Sequence, residues 1–368
     1  MKNFYYITDL TLPSDKAQAV HIFKMIDNFQ DFSKKVFLIC PFNHKDNNFK
    51  KIKKDYNLHN KKKIIIYSVF KKKTPNSFVK RMIFAFKTAT FLKKEKGIVL
   101  TRSIISSIIF SILNINHFLE IHQEIKGLSK IFMINLGFIN SKKIIKIIFI
   151  SKGLAKFYLF KETNNIILHD ACDIRDFIKK KPSKKIKKIY YIGSFYKGRG
   201  IDIIEKLASK MPDINFYAYG KRNEKKFSTK NLKFFKIIKY SKVRKILKKA
   251  DLLLMPYQSK ISINSENFND DISKFISPLK MFEYLATGIP ILSSNIKVLR
   301  EKLIHNKNCV LVDNYEDEDN WFIAINKLKN NFEMRKKIYT HALRAASNNT
   351  WRIRVKKLIK IDEEFYSQ

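Results

Sequence analysis

The stretch Ile276-Ser277-Pro278-Leu279-Lys280-Met281-Phe282-Glu283-Tyr284-Leu285-Ala286-Thr287-Gly288-Ile289-Pro290 reads as a helix with defined ends. Ser277 is an N-cap side chain, Pro278 suits the first helical position, and Gly288 followed by Pro290 stops the helix ahead of the apolar run Ile291–Ser293. A helix start offers N–H groups and a partial positive charge, which together hold phosphate. Lys280 adds a full cation within the first turn, and Glu283 is a carboxylate able to accept hydrogen bonds from vicinal hydroxyls. A phosphate site, a cation and a diol acceptor in such close sequence suit a nucleoside diphosphate.

Outward from this helix, strand-like runs alternate with helical patterns. Upstream lie Ile189–Ile192, the helical Ile201–Met211, Asn215–Tyr219, Phe234–Ile238, the helical Ser241–Lys248 and Leu252–Met255. The first half shows the same rhythm in Phe4–Thr8, the helical Ala17–Phe32, Val36–Cys40, Ile64–Val69 and Gly97–Leu100. Such alternation predicts parallel sheets covered by helices on both faces. A chain of 368 residues is long for one core and comfortable for two. The basic, proline-containing stretch from Lys179 to Lys185 suits a linker, taken as 179–186. It separates a first domain, 1–178, from a second, 187–348, and one long helical pattern, Trp351 to Phe365, occupies the tail 349–368.

The segment Ser277 to Pro290 closely resembles the signature of retaining glycosyltransferases of family 4, in which this helix grips the nucleotide of the donor. Upstream, Ala250-Asp251-Leu252-Leu253-Leu254-Met255-Pro256-Tyr257 is similar to the strand leading into that site, and Val298–Glu301 and Val310–Asp313 resemble later family segments. Tyr191-Ile192-Gly193-Ser194-Phe195-Tyr196-Lys197-Gly198-Arg199-Gly200-Ile201-Asp202 resembles the diphosphate loop, with Arg199 at the position of the basic residue that precedes a glycine. Guanidinium suits bidentate phosphate binding. The resemblance implies α/β architecture of the GT-B type, two Rossmann-like doubly wound domains facing across a cleft. It also implies transfer of a sugar, with retained configuration, from a UDP- or GDP-sugar to a hydroxyl. The nucleotide would sit on Gly193, Ser194, Ser277, Pro278, Leu279 and Glu283, with Arg199 and Lys280 neutralising the leaving diphosphate.

The chain departs from the family in two places. Many members carry two glutamates with seven residues between them, and counting back from Glu283 lands on Phe275; Asp270, Asp271 and Ser273 lie just upstream as possible stand-ins. The arginine that follows the loop's first glycine in many members is Ser194 here. The first domain resembles the family in patches: Pro13 to His21, Thr101-Arg102-Ser103 and Leu119-Glu120-Ile121-His122. In related enzymes a histidine on such a loop approaches the donor sugar, which makes His122 the candidate. No nucleophile presents itself, and neither a metal nor a cofactor is expected.

The net charge of +42, from 74 Lys and Arg against 32 Asp and Glu, favours anionic partners, although a genome rich in A and T codons explains much of the lysine. Cys40, Cys172 and Cys309 stand in no metal-ligand spacing, which implies buried thiols. The N-terminus shows no secretory signal pattern, so a cytoplasmic location is expected. The apolar tract Ile98–Leu119 is interrupted by Arg102, Asn114, Asn116 and His117, and reads as a buried helix rather than a membrane span.

Between Lys45 and Lys96 there are 17 Lys or Arg and 3 Asp or Glu. Within this stretch Ser77–Lys94 reads as an amphipathic helix with Lys80, Arg81, Lys87 and Lys94 on a basic face, into which the spacing places Phe84 and Phe91. Lysine interleaved with aromatics suits an anionic membrane interface, and equally stacking on single-stranded nucleic acid or a merely solvated helix. Together with the resemblance, which implies synthesis of surface polysaccharide on a glycan or lipid-linked acceptor, the first of these predicts a peripheral enzyme on the inner face of the plasma membrane. Two rival readings remain: a sugar-nucleotide epimerase or hydrolase of the same fold, and a non-catalytic nucleic-acid-binding protein, for which no specific binding motif is present.

Overall fold

A computed structural model describes residues 1–42, 48–60, 62, 64–69, 77–158, 164–221, 229–263 and 271–367. The chain divides into two units, one of residues 1–169 with 351–368 and one of residues 170–350.

The first unit strings together β1 (Asn3–Ile7), α1 (Ala17–Phe29), β2 (Val36–Ile39), α2 (Phe49–Asp55), β3 (Ile64–Tyr67), α3 (Phe78–Leu92), β4 (Gly97–Thr101) and α4 (Ile104–Ile112). It continues through β5 (His117–Ile121), the single turn α5 (Leu128–Lys130), β6 (Ile144–Phe149), α6 (Lys152–Phe157) and β7 (Asn165–Ile167). The strands form one parallel sheet in the order β3-β2-β1-β4-β5-β6-β7. Phe4, Tyr5, Tyr6 and Ile7 are all fully buried, as a central strand covered on both faces requires. Serine caps follow several strands: Ser77, Ser103 and Ser151 each accept from the backbone N–H three residues on, starting α3, α4 and α6.

The apolar tract Ile98–Leu119 is therefore not one helix. It is β4, α4 and the start of β5, broken where Ser103 caps α4 and where Asn114 takes a left-handed φ of 59° after it. No helix among the described residues is long and apolar enough to cross a membrane.

The second unit runs β8 (Lys188–Ile192), α7 (Ile201–Lys210), β9 (Asn215–Tyr219), β10 (Leu232–Phe235), α8 (Tyr240–Leu247), β11 (Leu252–Met255) and α9 (Leu279–Thr287). It ends with β12 (Ile291–Ser294), β13 (Val310–Val312), α10 (Glu318–Asn330) and α11 (Phe332–Ser347). Its parallel sheet has the order β10-β9-β8-β11-β12-β13. Leu252 and Leu254 enter the core on one face of this sheet while Leu253 and Met255 enter the core on the other, which is why β11 reads as an uninterrupted apolar run.

The chain passes between units at 169/170 and 350/351, whereas the sequence reading puts the boundary in the stretch 179–186. That stretch is fastened inside the second unit. Lys180 donates to the Ala250 carbonyl and Asp251, Ser183 donates to Asp251, and the buried Arg335 donates to the carbonyls of Ser183 and Lys184. The tail forms α12 (Trp351–Ser367), which packs on the first unit against α1. Arg352 pairs with Asp31, and Lys2 reaches Asp362 at 2.6 Å.

The amphipathic reading of α3 holds for the lysines and fails for the phenylalanines. Lys80, Lys87 and Lys94 are exposed, but Phe84 is fully buried in the core beside Tyr5, Ile7 and Ile109, and Phe91 stacks on Tyr67 at 4.7 Å. The apolar residues on the outer face are Val79, Ile83 and Phe86, which are 64%, 42% and 45% exposed. Spacings of four and three residues put those three on one stripe.

Candidate active site

In the second unit the loop after β8 and the start of α9 come together through a small set of contacts. Ile192 N–H donates to the Tyr284 hydroxyl at 2.9 Å, and Tyr191 donates to the Ser194 carbonyl at 2.7 Å, so the chain around Gly193 is fixed from both sides. A side chain at Gly193 would meet Lys280 Nζ at 3.0 Å, which places the lysine directly against the loop. Gly198 and Gly200 have φ of 80° and 74°, and a Cβ at either would lie 1.8 Å from a carbonyl oxygen, of Lys260 and Pro256 respectively. Only glycine permits this turn, which delivers Arg199.

Arg199 donates to the Ser262 carbonyl at 3.2 Å, and its guanidinium lies 5.4 Å from the Tyr257 ring centre. Lys280 Nζ stands 4.7 Å from the same ring and 4.1 Å from that of Tyr191. The two cations proposed from the sequence thus share one tyrosine. Burial pulls the Lys280 ammonium well below the ordinary lysine value, the charge of Arg199 pulls it further, and Glu283 opposes both. An anion bound beside both groups would offset this loss of charge.

The helix begins one residue later than its sequence suggests. Pro278 occupies the N-cap position, no side chain caps α9, and Ser277 Oγ instead accepts from the Asp170 N–H at 3.1 Å. With Ser277 turned to its own backbone partner, the first N–H groups of α9, from Leu279 onward, carry no side-chain cap. The C-terminal end follows the sequence reading, with Gly288 at φ 74°. Glu283, one turn in, is buried in the neighbourhood of Tyr240 and Lys280.

Of the proposed stand-ins for the missing first glutamate, Asp270 lies outside the described residues. Asp271 accepts from the backbone N–H groups of Ile261 and Ser273 and from Ser273 Oγ, so both Asp271 and Ser273 are committed to the local turn. Phe275 is itself buried. Sequence reading missed the roles of Tyr191 and Tyr257 as walls for the cations. Tyr191 lies in β8 and Tyr257 just after β11, and aromatic residues in or beside strands read first as core.

His122 belongs to the first unit, just beyond β5. Its Nε2 lies 3.0 Å from Glu120 Oε1, and His21 Nε2 lies 3.1 Å from the same oxygen. The three side chains place metal-type donor atoms together. However, that oxygen also takes the Arg354 guanidinium, and a dication there would stand against a fixed positive charge. The cluster suits shared protons rather than a metal.

Residues 173–344 match the family model described as "Glycosyl transferases group 1". Over whole chains, the fold is similar to that of Anabaena HepE, solved with UDP and glucose, at 13% identity, TM-score 0.69 and 100% coverage of both chains. It is also similar to a glycosyltransferase from Rickettsia africae, at 13% identity, TM-score 0.72 and 99% and 98% coverage. Sucrose-phosphate synthase from Thermosynechococcus elongatus matches at 10% identity, TM-score 0.72 and 100% coverage of both chains. No curated protein matches the sequence. The fold is α/β of the GT-B type, two units each built on a parallel sheet.

Proposed function

We propose, from the match of residues 173–344 to the glycosyl transferases group 1 model, that the chain moves a sugar from a nucleoside diphosphate sugar to a hydroxyl of a glycan or lipid-linked acceptor with retained configuration. The observation that carries this is the convergence of Arg199 and Lys280 on Tyr257 beside the uncapped start of α9. Breaking the bond between the anomeric carbon and the diphosphate leaves negative charge on the phosphate oxygens, and preformed cations in a dry site stabilise that charge most effectively. Arg199, Lys280 once the diphosphate restores its charge, and the helix N-terminus together take the part that a dication plays elsewhere, and no metal or cofactor besides the donor is proposed. Glu283 accepts from the ribose hydroxyls, and Gly193 and Ser194 leave room for the diphosphate. His122, in the first unit, is proposed as a sugar ligand on the family resemblance alone.

UDP is the first donor to test, because HepE was solved with UDP and glucose. A thermal-shift panel of UDP- and GDP-sugars should pick out the donor by a rise in melting temperature. Stereochemistry follows from the NMR spectrum of the glycosylated product. UDP release without an acceptor would favour the hydrolase or epimerase reading, and an inverted product would remove the retaining assignment.

The enzyme works at an anionic membrane surface on the cytoplasmic side and contributes to surface polysaccharide. Support comes from α3, where Val79, Ile83 and Phe86 form an exposed apolar stripe beside the exposed Lys80 and Lys87. An apolar stripe edged by lysines binds anionic headgroups and inserts shallowly.

A further inference from the structure

Between β5 and β6 the first unit carries a segment, 127–137, whose large apolar side chains face solvent. Leu128, Ile131 and Leu136 are 52%, 47% and 61% exposed. The segment consists of α5 and one wider turn, Ile131–Asn135. Gly127 and Gly137 bound it at φ of 60° and 75°, and a Cβ at either would meet no atom within 4 Å. These glycines serve a left-handed backbone rather than close packing. Both ends of the segment thus stand in open space, while Met133, in its middle, is buried and anchors it.

Spacing and contact join this segment to α3. Leu128 and Ile131, three apart, share a face, and the Phe132 ring beside them stacks with Phe78 at the start of α3 at 6.2 Å. The exposed stripe of Val79, Ile83 and Phe86 begins one residue after Phe78. The charge around both pieces has one sign. Ser77 to Lys94 contains 5 Lys or Arg, Lys126 to Lys143 contains 4, and neither stretch contains Asp or Glu. Codon bias raises lysine but does not remove carboxylates, so their absence from both stretches marks this face off from the rest of the chain.

We propose that 127–137 is a second membrane-inserting element: Leu128, Ile131 and Leu136 enter the same anionic bilayer surface as the stripe of α3, which holds the first unit at two points. The inference rests on the membrane reading of α3 made above. Aliphatic side chains have no π-face for a nucleobase, so a bound nucleic acid would leave them in water, whereas the acyl boundary removes them from it. The exposed Lys80, Lys87, Lys126 and Lys130 remain at the level of the phosphate headgroups. Each element alone is a shallow anchor. Two on one face multiply their effect, because the second binds at the high local concentration set by the first, and together they fix the face turned to the lipid.

The test uses the full chain. Its three cysteines are buried, so Ile131→Cys and Ile83→Cys can each carry a single environment-sensitive fluorophore on the folded protein. With vesicles of phosphatidylglycerol and phosphatidylcholine, both probes should shift to the blue and be quenched by lipids spin-labelled near the headgroup; phosphatidylcholine alone should do neither. An Ile83 probe that enters lipid while the Ile131 probe stays in water overturns the second element and leaves the reading of α3 standing. If neither enters, both fall, and entry of Ile131 alone overturns the shared surface. An Ile131 probe that responds as strongly to a single-stranded oligonucleotide, or is already shielded in a dimer before lipid is added, overturns the bilayer as its partner. Leu128→Ser, Ile131→Ser and Leu136→Ser together should lower vesicle affinity roughly tenfold or more at an unchanged melting temperature, and unchanged affinity removes the segment from the interface.

Discussion

Replacing Lys280 by Met should stabilise the free protein while weakening its hold on the donor, and the pH dependence of both effects follows from one displaced pKa. Lys280 titrates well below an ordinary lysine because burial and Arg199 disfavour its charge. In the unfolded chain it returns to about 10.4. Between those two values the unfolded state binds the proton and the folded state does not, so stability rises with pH across the window, by up to about 1.4 kcal/mol per pH unit. Met has similar length and no charge, so Lys280→Met should melt higher than the parent at neutral pH, with the advantage growing as pH falls toward the folded-state value. Donor binding runs the other way. A diphosphate beside Lys280 restores its charge, so binding takes up a proton, and affinity for a nucleoside diphosphate sugar should weaken by up to about tenfold per pH unit on going alkaline within that window. Thermal melts and calorimetric titrations at several pH values read both. Parallel stability profiles for parent and variant, or a variant that binds the donor as tightly with the same pH slope, would refute the reasoning.

Glu283→Ala should weaken nucleotide binding by about 1–3 kcal/mol through loss of the ribose acceptor, read by calorimetry on a variant with an unchanged fold. Arg199→Gln and Lys280→Met should each lower turnover strongly, and the double variant should lose less than the sum because both act on one leaving group; strict additivity contradicts the shared role. Serine at Val79, Ile83 and Phe86 together should abolish sedimentation with anionic vesicles at moderate salt while leaving the melting temperature nearly unchanged, and persistence of binding would remove α3 from the interface. Phe84→Ala should behave oppositely, costing about 3–5 kcal/mol of stability because that ring is in the core.

The sequence made the sheets legible because a strand buried on both faces is an unbroken apolar run. Asn215–Tyr219 and Leu252–Met255 are found at the bounds their runs predict. The same property hid β5, where His117 and Glu120 interrupt the apolar run and the strand merges with α4 into one apolar tract. Lys–Phe spacing misled the reading of α3: Phe84 lies with Tyr5, Ile7 and Val99 of the central strands, so the buried arc of the helix is wider than its lysines suggest. In the proposed donor site, Lys280 and Glu283 were readable because helix ends are local signals, and Arg199 through the likeness of its glycine-flanked loop to the family's. The capping of α9 was not, since Ser277 is taken by the backbone of Asp170, a partner 107 residues away.

The Glu120 cluster lies at the far end of this scale. Its central contact joins positions 234 residues apart, so no period, cap or turn announces it, and Arg354 reads in isolation as one more charge on an amphipathic tail. Yet the first unit has reason to keep that tail. Without α12, Glu120 would lose the guanidinium of Arg354 and face His122, whose imidazole burial keeps from charging readily, and the carboxylate would have to take up a proton or be exposed. The long helix after residue 350 is thereby tied to the electrostatics of β5 as well as to packing on α1. Deleting it should therefore alter the state of His122 even where the sheet survives.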